Sequence, residues 1–88
     1  MNRAKKLIEL VKHFGDGGSI AAYYAEGFSE EEIRALADKY PHLLYVSAEG
    51  LVYVDQSKIA YQKHKNSEEL TFEEKELLER NYSISVDK

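Results

Sequence analysis

Three histidines, His13, His42 and His64, are the side chains of this sequence best suited to metal or proton chemistry, and they stand on three separate segments. Protein zinc sites take Cys and His at short paired spacings; the chain has no cysteine, and its histidines show no such spacing. They read as surface or packing residues. Glu30, Glu31 and Glu32 form a run of carboxylates. Acid–base catalysis needs a cleft that shifts a carboxyl, and nothing in the flanking sequence marks one. Their position fits solvated charge at the positive end of a helix dipole. Gly15-Asp16-Gly17-Gly18-Ser19 is the last candidate, because a glycine-rich loop entering a helix can hold phosphate on its N–H groups. A P-loop continues with Lys and then Ser or Thr after its final glycine. Here Ser19-Ile20 follows, so an ordinary turn ending in a Ser N-cap accounts for the stretch. Ser19, Ser29 and Ser47 have local backbone roles and no base beside them. No catalytic residue, metal ligand or cofactor is assigned, and an enzyme is not expected.

The elements that carry these residues must fit one small domain, since 88 residues suffice for a single modest core. No apolar run approaches the roughly 20 residues that span a bilayer, so no membrane partner is expected. The start, MNRAKKLIEL, is basic and then apolar like a signal peptide. Glu9 and Lys12 interrupt it and no small-residue cleavage site follows, so it reads as a helix. The lack of cysteine fits a reducing cytoplasm. The net charge is −4, whereas dedicated nucleic-acid binders are more often basic. Charge is uneven along the chain. Arg3, Lys5, Lys6 and Lys12 face only Glu9 in residues 3–13; Lys58, Lys63 and Lys65 face no acid in residues 56–66; six glutamates dominate residues 67–80.

Ala4, Leu7, Ile8, Val11 and Phe14 recur at helical spacing and predict a helix over Asn2–Phe14, with Leu10 at the edge of its stripe and Gly15 as a left-handed terminator. Ser19 to Ala25 predicts a short helix broken by Gly27. Ser29 with Glu32 forms a capping box for a second helix, whose buried face is Ile33, Leu36, Ala37 and Tyr40 and which Pro41 stops. Leu43–Val46 and Leu51–Val54 flank Ser47-Ala48-Glu49-Gly50 and predict a β-hairpin, with Tyr45 and Tyr53 or their neighbours paired across it. Residues 57–65 are a short helix or a basic connection. Thr71 with Glu74 is a second capping box, opening a helix over about 72–81 with Leu70, Leu77 and Leu78 as its apolar set. Tyr82 to Val86 alternates and is open to either a last strand or a tail.

This order over residues 2–54 resembles the winged-helix superfamily, a helix–turn–helix followed by a β-hairpin wing. Gly27 stands at the turn glycine of that motif, Ile33 and Leu36 at the aliphatic positions of its second helix, and Ala22 and Phe28 at further apolar positions. Tyr23, where a small residue is usual, and Glu26, where an apolar one is common, depart from it. An unrelated small helical domain with a hairpin is the alternative. The expected fold is α+β: a winged-helix-like core of three helices and a wing over residues 1–56, with a C-terminal extension over 57–88 packed on that core or at a dimer interface. The resemblance implies a small, non-catalytic DNA-associated regulator, homodimeric on duplex DNA, with Arg34 and Lys39 reading base edges and Lys5, Lys6, Lys58, Lys63 and Lys65 on phosphates. The competing expectation is a protein-interaction module that binds another protein through its acidic, tyrosine-rich surface, with Leu70, Leu77 and Leu78 as an interface.

Overall fold

Asn2 opens the first helix: its side-chain oxygen accepts from the Ala4 N–H at 2.9 Å, which caps α1 (Arg3–Phe14). The computed structural model describes residues 2–86, and the chain divides between Val54 and Asp55 into two units. Among the described residues there are four α-helices, one 3-10 helix and a three-stranded antiparallel sheet, an α+β architecture.

In the first unit, Ala4, Leu7 and Val11 of α1 are buried at the expected spacing, while Phe14 is 47% exposed. Phe14 sits past the point where the stripe meets the core and lays its ring beside that of Tyr23, at 5.5 Å between centroids. Gly15 ends the helix with φ +97° and ψ 147°, a glycine conformation but not the left-handed helical one expected. The following loop holds more structure than a turn. Gly18–Ser19 forms β1, antiparallel to β3 (Leu51–Tyr53), with Gly18 opposite Val52 and Ser19 opposite Leu51. Gly17 suits the turn into this strand because its φ is +88°, a conformation that L side chains rarely adopt. The Asp16 carboxylate accepts from the Val54 N–H at 3.1 Å and ties the loop to the hairpin.

Ser19 then caps the next element, accepting from the Ala21 N–H, but Ile20–Glu26 is a 3-10 helix and not an α-helix. Gly27 ends it in the left-handed region. Helix α2 (Glu30–Lys39) begins where Ser29 accepts from the Glu32 N–H, and stops at Tyr40 before Pro41. The hairpin is present with β2 (Tyr45–Val46) and β3, joined through Ser47–Gly50, and Tyr45 lies opposite Tyr53. Its strands are shorter than expected. Leu43 and Leu44 belong to the turn after Pro41, where both N–H groups donate to the Tyr40 carbonyl. The sheet order is β1–β3–β2.

The core of this unit joins Leu7, Val11, Ile20, Tyr23, Phe28, Ile33, Leu44 and Val52, with Leu36 and Ala37 packed against it. Each such side chain contributes about 1.5–3 kcal/mol on leaving water. Tyr23, at the position where a small residue is usual, is fully buried, whereas Ala22 is exposed and takes no part. Tyr23 lies three residues after the buried Ile20 and so on the same face of the 3-10 helix, whereas Ala22, two residues after it, lies off that face. The Tyr23 hydroxyl is buried without a hydrogen-bond partner among the described residues.

In the second unit, α3 (Gln56–Lys65) is a helix throughout, capped by Asp55, whose carboxylate accepts from the N–H groups of Ser57 and Lys58 and from the Ser57 hydroxyl. Helix α4 (Phe72–Tyr82) opens on the complete Thr71–Glu74 capping box. It ends on Ser83 in the left-handed region, with the Ile84 N–H reaching back to the Leu78 carbonyl. Residues 83–86 form no strand; residues 87–88 lie outside the described ones. Glu74 is only 7% exposed and accepts from Lys63 Nζ at 2.9 Å and from the Thr71 N–H at 2.8 Å. Tyr61 and Tyr82 stack, with centroids 4.9 Å apart.

Two stability measurements check these contacts. Tyr23→Phe removes an unsatisfied buried polar group whose desolvation costs about 1–3 kcal/mol, so the variant is expected to resist denaturant at least as well as the parent. A clear loss of stability would mean that the hydroxyl is hydrogen-bonded after all. For Glu74, burial alone would raise the carboxyl, but the Thr71 and Lys63 hydrogen bonds and the lysine charge outweigh it and hold it below its ordinary 4.5. Its stabilisation is therefore complete above pH 4.5 and lost as pH falls through the lowered value. Thermal unfolding should show that acid loss, and Glu74→Gln should remove it. Lys63→Met, which strands the carboxylate, is expected to cost about 3 kcal/mol at neutral pH.

Candidate functional site

Helix α2 is the element that would enter a DNA groove in a winged helix, and its charged side chains are mostly engaged within the chain. Arg34 donates from Nε to Glu30 at 2.9 Å, an i,i+4 pair. Lys39 Nζ lies 5.6 Å from the centre of the Tyr40 ring. Glu32 does not complete the capping box expected with Ser29, because both its oxygens accept from Arg3, at 2.6 and 2.7 Å. The same guanidinium donates to the Gly27 carbonyl at 2.8 Å and lies 4.2 Å from the centre of the Phe28 ring. Arg3 thus holds the turn between the 3-10 helix and α2 to the first turn of α1. The Arg3 hydrogen bond, aided by its charge and opposed by slight burial, holds the Glu32 carboxyl below its ordinary range.

The other expected phosphate contacts divide into two kinds. Lys6 Nζ stands 5.9 Å from the Phe28 ring centre, and Lys63 is committed to Glu74 with only 14% of its side chain exposed. Lys5, Lys58 and Lys65 are exposed. Of the proposed interface leucines, Leu78 is fully buried, and Leu70 and Leu77 are half-buried. The histidines remain apart: His13 lies beside Phe14 on α1, His42 is in the turn before β2, and His64 is on α3. Among the described residues no three His, Asp or Glu side chains are placed to hold one metal ion. None of their helices is long and apolar enough to cross a membrane. Burial, with Glu49 and Asp16 nearby, pushes the Tyr53 phenol up, which keeps it neutral.

Sequence reasoning missed a groove in the first unit. It has a volume of about 290 Å³ and runs along α1, where Ala4, Ile8, Tyr40 and Leu43 supply apolar surface and Asn2, Lys5, Glu9 and Lys12 the polar edge. Ile8, which the helical spacing assigns to the core stripe, is half-buried at this groove. Leu43 was expected in a strand. It lies in the turn with 49% of its surface exposed, held by the bond from its N–H to the Tyr40 carbonyl at 3.0 Å. The sequence carried no local signal for this, since Leu44, whose N–H donates to the same carbonyl, is buried.

No family model matches the chain, and no curated protein or solved structure matches it. The Arg3 clamp predicts a measurable coupling within the first unit. Arg3→Ala should lower its melting temperature and let the Glu32 carboxyl return upward toward 4.5. A carboxyl carbon titration by NMR reads that shift, and an unmoved Glu32 would refute the clamp.

Proposed function

We propose that this chain is a non-catalytic protein-binding module whose docking face lies on the first unit. The observation that carries this is the state of the cations on α2. A helix that binds duplex DNA must offer Lys and Arg to phosphates and base edges. On α2, Arg34 is paired with Glu30, Lys39 is drawn over Tyr40, and Glu30 to Glu32 fill the first turn. Phosphates would be repelled there. Aromatic and apolar side chains are instead available on the first unit, with Phe14, Tyr24 and Leu43 each close to half exposed. Interfaces between proteins favour such residues.

A second reading, a DNA-associated winged-helix regulator, is supported by the element order: helix, strand, helical turn, helix and hairpin, with β3 central in the sheet. In that role the exposed Lys5, Lys58 and Lys65 would meet phosphates, and a homodimer would add two weak footprints on duplex DNA.

Gel retardation of duplex DNA at low salt separates the two. The protein-binding module is expected to leave DNA mobility unchanged. Retardation whose affinity falls steeply with added salt, and which Lys5→Glu weakens, would overturn it in favour of the DNA-associated regulator.

A further inference from the structure

We infer that the groove along α1 takes an acidic amphipathic helix from another protein, with one bulky apolar side chain as its anchor and carboxylates on either side of it. This rests on the protein-binding function proposed above and names the partner's chemistry. The floor sets the anchor. Ile8, Tyr40 and Leu43 present apolar surface, and Leu43 is 49% exposed. A volume of about 290 Å³ falls just short of the roughly 300–1,000 Å³ that small-molecule sites occupy. It suits one or two inserted side chains from a peptide.

The rim sets the charge. Lys5 and Lys12 are both exposed, belong to the groove and enter no ion pair among the described residues. Glu9 is the one acid in the lining. Lys5 and Lys12 are seven residues apart on one helix, two turns or about 10 Å along its axis. Glu9 lies between them, so the ends of the groove are positive and its middle is not. A partner helix with acids about four residues before and three residues after a Leu or Phe places both carboxylates and the anchor on one face, at the same separation as the lysines. The charges supply orientation and encounter rate, and the anchor supplies most of the affinity.

The test uses the full chain and three fluorescently labelled synthetic peptides of about 15 residues, long enough to be helical when bound. One carries a central Leu flanked by Glu at those positions; a second has Lys in place of each Glu; a third has Ser in place of Leu. Anisotropy titration at low salt should show the first binding at least about tenfold tighter than either other. Lys5→Glu combined with Lys12→Glu, and separately Leu43→Ser, should each weaken the first peptide by about tenfold or more, with Glu31→Lys as an unaffected control. All four positions are exposed in this structure, so these variants are expected to fold.

Equal binding of the three peptides, or equal binding by parent and groove variants, would overturn the inference. So would concentration-dependent self-association abolished by the same variants, which would give the groove to a second copy. Failure of the peptides with no retardation of duplex DNA removes this partner and leaves the protein-binding function standing. Salt-sensitive DNA binding that displaces the peptide removes both.

Discussion

The first unit is organised by the backbone pairing of β3 on both of its edges. Val52, fully buried, lies opposite Gly18 on one side and Val46 on the other. A two-stranded hairpin is marginal in water, and this one is too short to stand alone. The two residues of β1 give it a third strand, and the N–H groups of Gly17 and Ile20 extend the ladder at 2.8 Å to the carbonyls of Val52 and Gly50. That pairing brings the end of α1 and the start of the 3-10 helix to the same sheet. It closes the core around Leu7, Tyr23 and Val52.

Electrostatics decides what the surface can do once that core is closed. Several charged groups of α1 and α2 are spent on structure, with Arg3 clamping Glu32 and the Gly27 carbonyl, and Arg34 holding Glu30. Exposed pairs of this kind add little stability, commonly under about 1 kcal/mol. The Arg3 guanidinium, already bound to Glu32 and to the Gly27 carbonyl, is poorly placed to meet a phosphate. The lysines left over, Lys5 and Lys12, stand at the edges of an apolar groove. That combination is the basis of the anchored, acidic partner proposed above.

The second unit applies the opposite balance. Lys63 and Glu74 are largely withdrawn from water, and each hydrogen bond of the carboxylate offsets its desolvation. Because the same carboxylate completes the capping box of α4, one side chain both starts that helix and joins it to α3. A lysine counted by sequence as available for phosphate is thereby a structural member of the helix pair.

The sequence by itself determined the elements whose cause is local. Periodicity placed α1 and α2, Ser29 and Thr71 fixed helix starts through their own hydroxyls, Pro41 stopped α2, and Gly50 closed the hairpin with Tyr45 opposite Tyr53. Each depends on atoms only a few residues apart, so each can be read along the chain. Tertiary structure alone decided the rest. β1 exists because β3 lies beside it; Tyr23 is inside and Ala22 outside because the core takes the face of the 3-10 helix that carries Ile20; Glu32 answers Arg3, 29 residues away, and not its own cap. The groove belongs to this second class. Its walls come from α1 and from the turn after Pro41, and no local pattern records that Ile8 and Leu43, 35 positions apart in the numbering, line the same surface.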